Sequence, residues 1–240
     1  MKPLHRKEYF LSDSEYNYYH DNGFLIIKNL FTLEECDNIY HLFLQHADKD
    51  FAAILNLDRK IPHVRTIMTI PRVVSIVESL FKNNGYVLMS QLIFKQANSL
   101  YAEQSWADHQ DNSYHGCPTG KTLTLNIAIN ECNLTNGAMY CYKGSHKNGT
   151  LPFQPVKSYL EGKDNQPGNR LNLPEEYSDK RENIIMAKGD ALFLHGNCIH
   201  GSFPNTSKTQ SRPMFSSTYI SQGEEFLVGK NANRIEIPLH

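Results

Sequence analysis

The sequence predicts an α+β chain that is mainly β, with helices in the first third followed by antiparallel strands packed as a sandwich or jelly roll. Three observations predict it. Capping signals and 3.6-residue apolar periodicity are confined to the stretch before residue 86. From Tyr86 onward the chain breaks into short β-rich runs bounded by Asn, Gly and Pro. No helical pattern lies between those runs, so the βαβ crossovers of a parallel sheet have nothing to be built from.

In chain order, Ser12 with Glu15 and Thr32 with Glu35 each match a capping box, in which the hydroxyl takes one orphan backbone N–H and the carboxylate another. After Thr32, Cys36, Ile39, Tyr40, Phe43 and Leu44 recur at helical spacing, leaving Glu34, Asp37 and Asn38 toward water. A further helix is expected from Pro71, tolerable in a first turn, with Val73, Val74, Val77, Leu80 and Phe81 on its buried stripe and Gly85 ending it. Strands are expected at residues 86–95, 122–130, 138–142, 183–187, 191–195 and 213–220, separated by turn clusters such as residues 133–137 and Lys188-Gly189-Asp190. No internal repeat is visible. Residues 144–180 form a long polar connection rich in Gly, Pro and Asn, and connections of that kind are candidate lids.

Size and composition bound the function. A chain of 240 residues is read as one domain, 1–240, and 40% hydrophobic content with 13 Tyr and 12 Phe supplies a core that disordered or collagenous chains lack. No apolar run approaches the ~18 residues of a membrane span, and the basic start from Met1 to Lys7 has no apolar segment behind it. A soluble, cytoplasmic protein without a membrane partner is therefore expected. Lys plus Arg number 24 against 25 Asp plus Glu, without basic clustering, which excludes nucleic acid as the expected partner. Cys36, Cys117, Cys132, Cys141 and Cys198 are odd in number and form no C-x-x-C pair, so neither a disulfide framework nor a thiolate zinc site is expected. Nothing specifies an oligomeric state.

The chemistry-bearing segment is Trp106-Ala107-Asp108-His109-Gln110-Asp111-Asn112. In an extended strand His109 and Asp111 would point the same way, a two-ligand clamp. A third imidazole would complete two His and one carboxylate on one side of an ion, a set suited to non-heme Fe(II) that must also bind a cosubstrate and dioxygen. His200 is the choice for that ligand: it follows an expected strand, and Gly201 beside it would allow close approach of a ligand. His195, five residues earlier, is at opposite strand parity, so the two are not expected to face inward together. Arg212, twelve residues beyond His200, offers the guanidinium fork that a dicarboxylate cosubstrate needs at its far end.

Four motifs in order carry a family likeness: His109-Gln110-Asp111; Asn136-Gly137-Ala138-Met139 with Lys143-Gly144-Ser145-His146-Lys147; Lys188-Gly189-Asp190-Ala191-Leu192-Phe193; and His200-Gly201-Ser202 with Pro204-Asn205. Through them the chain resembles the phytanoyl-CoA dioxygenase family of Fe(II)/2-oxoglutarate-dependent oxygenases. The resemblance covers most of the chain, since residues 19–27 also look like that family's opening helix and first strand. It implies a double-stranded β-helix, a cupin-like jelly roll with flanking N-terminal helices. It further implies His109, Asp111 and His200 as iron ligands, Arg212 and Ser202 on the 2-oxoglutarate C5 carboxylate, and Fe(II), 2-oxoglutarate and O2 as the reacting set, with hydroxylation of a substrate and release of succinate and CO2. Lys95 stands fourteen residues ahead of His109, where the family carries a Lys at a strand end. By alternation Met89, Gln91 and Ile93 then share a face, with Gln91 the polar candidate for lining the pocket. Asn126 stands where many relatives carry a Trp beside 2-oxoglutarate, implying a smaller or more polar pocket. Relatives that halogenate lack the carboxylate, so the presence of Asp111 disfavours halogenation. His146 belongs to a turn motif with a structural task rather than to a second metal site.

Trp106, Asn112, Tyr114 and His115 flank the metal motif and are candidate substrate contacts. No dense Lys/Arg patch marks a CoA surface, so the expected substrate is a small polar metabolite such as an amino acid, a phosphonate or a natural-product intermediate. Two other readings stay open: a non-catalytic jelly-roll metabolite-binding module, and a cupin-type metal enzyme that does not use 2-oxoglutarate.

Overall fold

The computed structural model describes residues 8–46, 53–99, 102, 105–156 and 168–240. Both capping boxes start helices. Ser12 and Glu15 exchange side-chain and backbone bonds at the head of α1 (Asp13–Asn22), which leads into β1 (Phe24–Ile27). Thr32 and Glu35 do the same at 2.9 and 3.1 Å for α2 (Leu33–His46). Cys36, Ile39 and Phe43 are buried on α2, but Leu44 is 54% exposed: it lies one residue round the helix from Phe43 and has turned to solvent. Next come β2 (Ala53–Leu55) and α3 (Pro62–Met68), which the sequence reading did not anticipate, and α4 (Pro71–Phe81). α4 ends earlier than expected. Lys82, not Gly85, takes the left-handed cap, and Gly85 opens the following strand.

The remaining elements are β3 (Gly85–Lys95), β4 (Trp106–His109), α5 (Asn112–His115), β5 (Thr122–Ala128), β6 (Met139–Tyr142), β7 (Phe153–Val156), β8 (Gly168–Leu171), β9 (Arg181–Ile184), β10 (Ala191–His195), β11 (His200–Ser202), β12 (Arg212–Ser221) and β13 (Ile237–Pro238). Among the described residues a seven-stranded sheet runs β1-β10-β5-β12-β3-β13, with β2 also on β3, and a four-stranded sheet runs β4-β11-β6-β9. All of these pairings are antiparallel. The two sheets face one another as a jelly roll.

Alternation along the central strands builds two cores. Leu123, Leu125 and Ile127 on β5, Phe215 and Tyr219 on β12, and Leu92 and Phe94 on β3 pack with Ile39, Phe43, Ile67, Val73 and Val77 of the helices. Each such fully buried side chain contributes roughly 1.5–3 kcal/mol. The opposite face carries Ala128, Leu192, Leu194 and Met214 against Met139, Cys141 and Ile184 from the smaller sheet and Cys198 from the β10–β11 connection. The five cysteines are free and buried. No helix among the described residues is long and apolar enough to cross a membrane.

The 144–180 connection contains a 3-10 turn (Ser145–Asn148), the β7–β8 ribbon and a second turn (Glu175–Tyr177); residues 157–167 of this lid candidate lie outside the described residues. The turn before β10 pins the chain ends of the large sheet. Asp190 accepts the Asn29 and Ala187 amides and the Lys28 ammonium, all at 2.9 Å, and Phe31 N–H donates to the Gly189 carbonyl at 2.9 Å. Gly189 has φ +93°, and a Cβ there would stand 2.3 Å from the Phe31 carbonyl oxygen. Gly189→Ala is therefore expected to destabilise the fold by roughly 2 kcal/mol or more, combining left-handed strain with a backbone clash. Urea unfolding checks it, and an unchanged midpoint would contradict the geometry.

Candidate metal centre

β4 ends at His109 and β11 begins at His200, and the two residues are directly opposite in the antiparallel pair. Both rings are fixed in the same way: His109 Nδ1 lies 2.7 Å from the Ala107 carbonyl, and His200 Nδ1 lies 3.0 Å from the Cys198 carbonyl. A carbonyl can only accept, so each Nδ1 carries the proton and each Nε2 keeps a lone pair for a cation. The ring centroids are 4.2 Å apart.

Asp111 arrives by a route that the extended-strand reading missed. It has φ −58° and ψ −34° and caps α5, so the chain turns after Gln110 instead of continuing as a pleat. The turn is held by polar bonds. Gln110 bridges the Gly149 and Asn197 carbonyls (2.8 and 2.6 Å) and the Leu151 amide (2.7 Å), while the Asn112 amide donates to the Gly196 carbonyl at 2.7 Å. The result still meets the two imidazoles: Asp111 Oδ1 is 3.8 Å from His109 Nε2 and 3.6 Å from His200 Nε2. One ligand atom from each residue lies within 4.8 Å of the others. Asp111 Oδ2 accepts the Thr124 hydroxyl at 2.7 Å, which leaves Oδ1 for the cation.

Burial, and then the His200 charge, push His109 down to about 4. Burial alone would raise the Asp111 carboxyl; His200, His109, His115 and the Thr124 hydroxyl outweigh it and hold the group below its ordinary value. The centre thus offers a carboxylate and two imidazole Nε2 atoms, a donor set for one side of an octahedral ion's coordination.

The triad opens on a cavity of about 390 Å³. Its floor is the inner face of β3, β12 and β5, laid out in rows: Arg212; Ile93 and Met214; Gln91, Ser216 and Asn126; Met89, Thr218 and Thr124, with Lys95 and Ala128 sharing the first two rows without lining the cavity. Trp106, Met139 and Ser202 line it from the smaller sheet. In the middle row Ser216 donates to Asn126 Oδ1 at 2.5 Å, and Asn126 Nδ2 is buried without a partner. At the end row Arg212 is 1% exposed, its side chain hydrogen-bonds among the described residues only to the Met214 sulfur at 3.5 Å, and its Nε is left without a partner. Lys95, 2% exposed, donates to Ser202 Oγ at 2.9 Å and to the Phe203 carbonyl, and burial together with Arg212 pushes it down to about 6. Neither cation forms an ion pair among the described residues.

Other expectations fare differently. Trp106, Tyr114 and His115 line the cavity, with His115 pushed down to about 4 by burial and by Arg234. Asn112 does not reach the cavity: its side chain is spent on the Cys117 amide and carbonyl (2.9 and 2.8 Å), Thr150 and Asn197, bracing α5. The parity argument against His195 fails because it sits on the other sheet. His195 and His200 are both buried, and His195 packs on His146 with centroids 4.7 Å apart, away from the triad. The close approach at Gly201 is to protein, since a Cβ there would stand 2.4 Å from the Tyr140 hydroxyl and 2.6 Å from the Trp106 carbonyl. His146 sits in the 3-10 turn, bound to the His20 carbonyl at 3.0 Å. Sequence reasoning missed residues 229–234 altogether, yet Gly229, Lys230, Asn231, Ala232 and Arg234 line the cavity, and in sequence they read as an ordinary polar loop.

Among the described residues, the Thr124 hydroxyl is the side-chain donor that aims Asp111. Thr124→Val is expected to weaken Fe(II) affinity about tenfold, and Thr124→Ser to restore it. Anaerobic calorimetric titration of the metal checks this; equal affinity in Thr124→Val would show that the aim does not matter.

Comparison with known proteins agrees in kind. The profile of the family "Phytanoyl-CoA dioxygenase (PhyH)" matches residues 19–214. A phytanoyl-CoA dioxygenase of Arabidopsis thaliana is 32% identical over 144 residues, 59% of this chain and 47% of that one, so the chain spans about half the length of this relative. The solved non-heme alpha ketoglutarate dependent carbocyclase SnoK, from nogalamycin biosynthesis, superposes with TM-score 0.75 at 18% identity over 95% of both chains. The epimerase SnoN, solved in complex with Fe3+, alpha ketoglutarate and a nogalamycin compound, superposes with TM-score 0.73 at 18% identity over 89% of this chain and 85% of that one. These two structures share the jelly-roll fold. With its profile match running from α1 to β12, the chain belongs to the phytanoyl-CoA dioxygenase family.

Proposed function

We propose that the protein is an Fe(II)- and 2-oxoglutarate-dependent dioxygenase that hydroxylates a small polar metabolite, with release of succinate and CO2. The observation that carries this reading is the buried Arg212, without an ion pair among the described residues, on the floor of the cavity onto which a His-Asp-His triad opens. A guanidinium in that setting is costly unless an anion reaches it, and a dicarboxylate that also chelates a metal is such an anion. His109, Asp111 and His200 would hold the iron from one side, leaving its cavity side open. Arg212, with Lys95 and Ser202, would bind the C5 carboxylate. Asn126, whose Nδ2 has no partner, and Gln91 would supply donors along the middle of the cosubstrate. Bound iron and 2-oxoglutarate supply the oxidative decarboxylation that activates dioxygen.

Trp106, Tyr114 and His115 would then wall the substrate side. The cavity, about 390 Å³, stands near the lower end of the ~300–1,000 Å³ typical of small-molecule sites and must hold the cosubstrate as well. That favours a small substrate over a CoA thioester. Asp111 fills the position that a halide would need, which favours hydroxylation.

The test is anaerobic titration of the Fe(II)-loaded protein with 2-oxoglutarate, read by the visible charge-transfer band of the chelate. Wild type is expected to give the band and His200→Ala to lose it. Asp111→Ala should abolish 2-oxoglutarate turnover, whereas Arg212→Gln should weaken 2-oxoglutarate about 10- to 100-fold, the worth of charge-assisted hydrogen bonds. No band in iron-loaded wild type would move the weight to a binding module or to a cupin-type enzyme.

A pH dependence also follows. Lys95 is pushed down to about 6 in the free protein, so binding a carboxylate beside it takes up a proton at higher pH. Affinity for 2-oxoglutarate is expected to weaken as pH rises above about 6 and to lose that slope in Lys95→Met. A flat profile in wild type would place Lys95 outside the carboxylate's reach.

A further inference from the structure

A second buried guanidinium lines the cavity, and 2-oxoglutarate does not account for it. Arg234 is 7% exposed and belongs to the C-terminal segment that crosses the mouth. Its Nη1 donates to the Tyr114 and Leu227 carbonyls at 3.1 and 2.9 Å, while its Nε is buried with no partner. Two carbonyl dipoles hold the group in place without neutralising it. Among the described residues it forms no ion pair, and the one carboxylate lining the cavity, Asp111, is turned toward the two imidazoles. Lys230, on the same segment, adds an exposed cation to the same wall.

Arg234 lies at the other end of the floor from Arg212. Arg212 is paired with Lys95, whereas the amide that follows Arg234 bonds the Leu88 carbonyl, beside Met89. Lys95 and Met89 are six residues apart on one strand, about 20 Å at ~3.3 Å per residue. Asp111 is held by Thr124 in the Met89 row, so a small dicarboxylate that runs from the triad to Arg212 points away from Arg234.

We infer that Arg234 is a substrate-binding residue that pairs with an oxyanion, a carboxylate or a phosphonate-type group, on the molecule to be oxidised. The inference rests on the proposed oxygenase reading and narrows its substrate class from polar to anionic. It also assigns a task to the loop that sequence reasoning passed over: residues 229–234 bring the charge to the mouth, and the Asn56 side chain anchors that loop through the Ala232 carbonyl at 2.7 Å.

The test uses protein loaded with Fe(II) and saturating 2-oxoglutarate under anaerobic conditions, so that the Arg212 end is taken, and titrates propionate, methylphosphonate and the neutral propionamide by calorimetry. Wild type is expected to bind at least one anion and to bind the amide at least tenfold more weakly; the tighter anion tells carboxylate from phosphonate. Arg234→Gln, which can still donate to the two carbonyls, should weaken the anion about 10- to 100-fold while 2-oxoglutarate affinity stays within about twofold. Arg234→Lys should keep most of the anion affinity. Three results overturn the proposal: no anion bound by wild type, an anion affinity unchanged in Arg234→Gln, or 2-oxoglutarate affinity falling in step with the anion's, which would make the residue a brace. If wild type takes no 2-oxoglutarate, the oxygenase reading has failed instead, and the same anion series on the iron-loaded protein still tests Arg234.

Discussion

The register of three strands is the constraint on which the rest of the molecule depends. β12 is hydrogen-bonded to β3 on one side and β5 on the other, and all three are covered on both faces. Their odd and even positions must therefore do different work. Leu123, Leu125, Ile127 and Phe215 bury against the helices, while Gln91, Thr124, Asn126, Arg212 and Ser216 turn the other way and form the cavity floor. A slip of one residue in any pairing would drive a guanidinium or an amide into the helix core and a leucine into the cavity. The helix layer, with α2, α3 and α4 against one face, thus fixes the site on the other face without touching it.

On that floor the chain accepts a charge imbalance that a purely structural core would avoid. Arg212 and Arg234 are buried with donors to carbonyls or sulfur and with no ion pair among the described residues, and the same burial pushes Lys95 beside Arg212 down to about 6. The contrast within the same molecule is Arg72, equally buried, which meets Glu35 at 2.7 Å between α4 and α2. Where the fold needs a buried cation it supplies the anion, and in the cavity it does not. The energetic consequence is that anionic ligands stabilise the folded state by mass action, because they relieve a cost the apo protein carries.

What could be read in the sequence follows from the range of the interactions involved. Capping boxes and strand alternation are local, so Ser12 and Thr32 were accessible from spacing alone, and the shared face of Met89, Gln91 and Ile93 followed once the family likeness had placed Lys95 at the strand end. His109 and Asp111 were accessible as a pair for the same reason, but not their geometry. The turn at Gln110 depends on Gly149, Leu151 and Asn197, far along the chain, and so do the roles of Gln110 and Asn112 as braces. His195 was set against His200 on one strand's parity, and the chain instead places them on facing sheets. Arg234 carried no signal at all. A lone Arg in a polar loop becomes notable only when the cavity and the Tyr114 and Leu227 carbonyls are known to surround it.

Rigid and adaptable parts of the site are therefore built from different materials. His109, His200 and the Arg212 end stand on paired strands, with a core behind them or a backbone carbonyl orienting each imidazole, and Asp111 on a turn braced by Gln110. Residues 229–234, which line the cavity, are held through scattered polar contacts to Asn56 and Tyr114, with Leu227 ahead of them bonded to the His115 carbonyl, and the β7–β8 ribbon is held in the same way by Ser113 and Tyr114 through Asn169. Such contacts are individually weak and exchange readily with water, so these segments open at lower cost than the floor. A catalyst that must keep one metal geometry while admitting and releasing a substrate has reason to divide the work in this way. On the proposed reading, chemistry common to the family would belong to the strands, and discrimination among substrates to the loops that Arg234 and Tyr114 tie down.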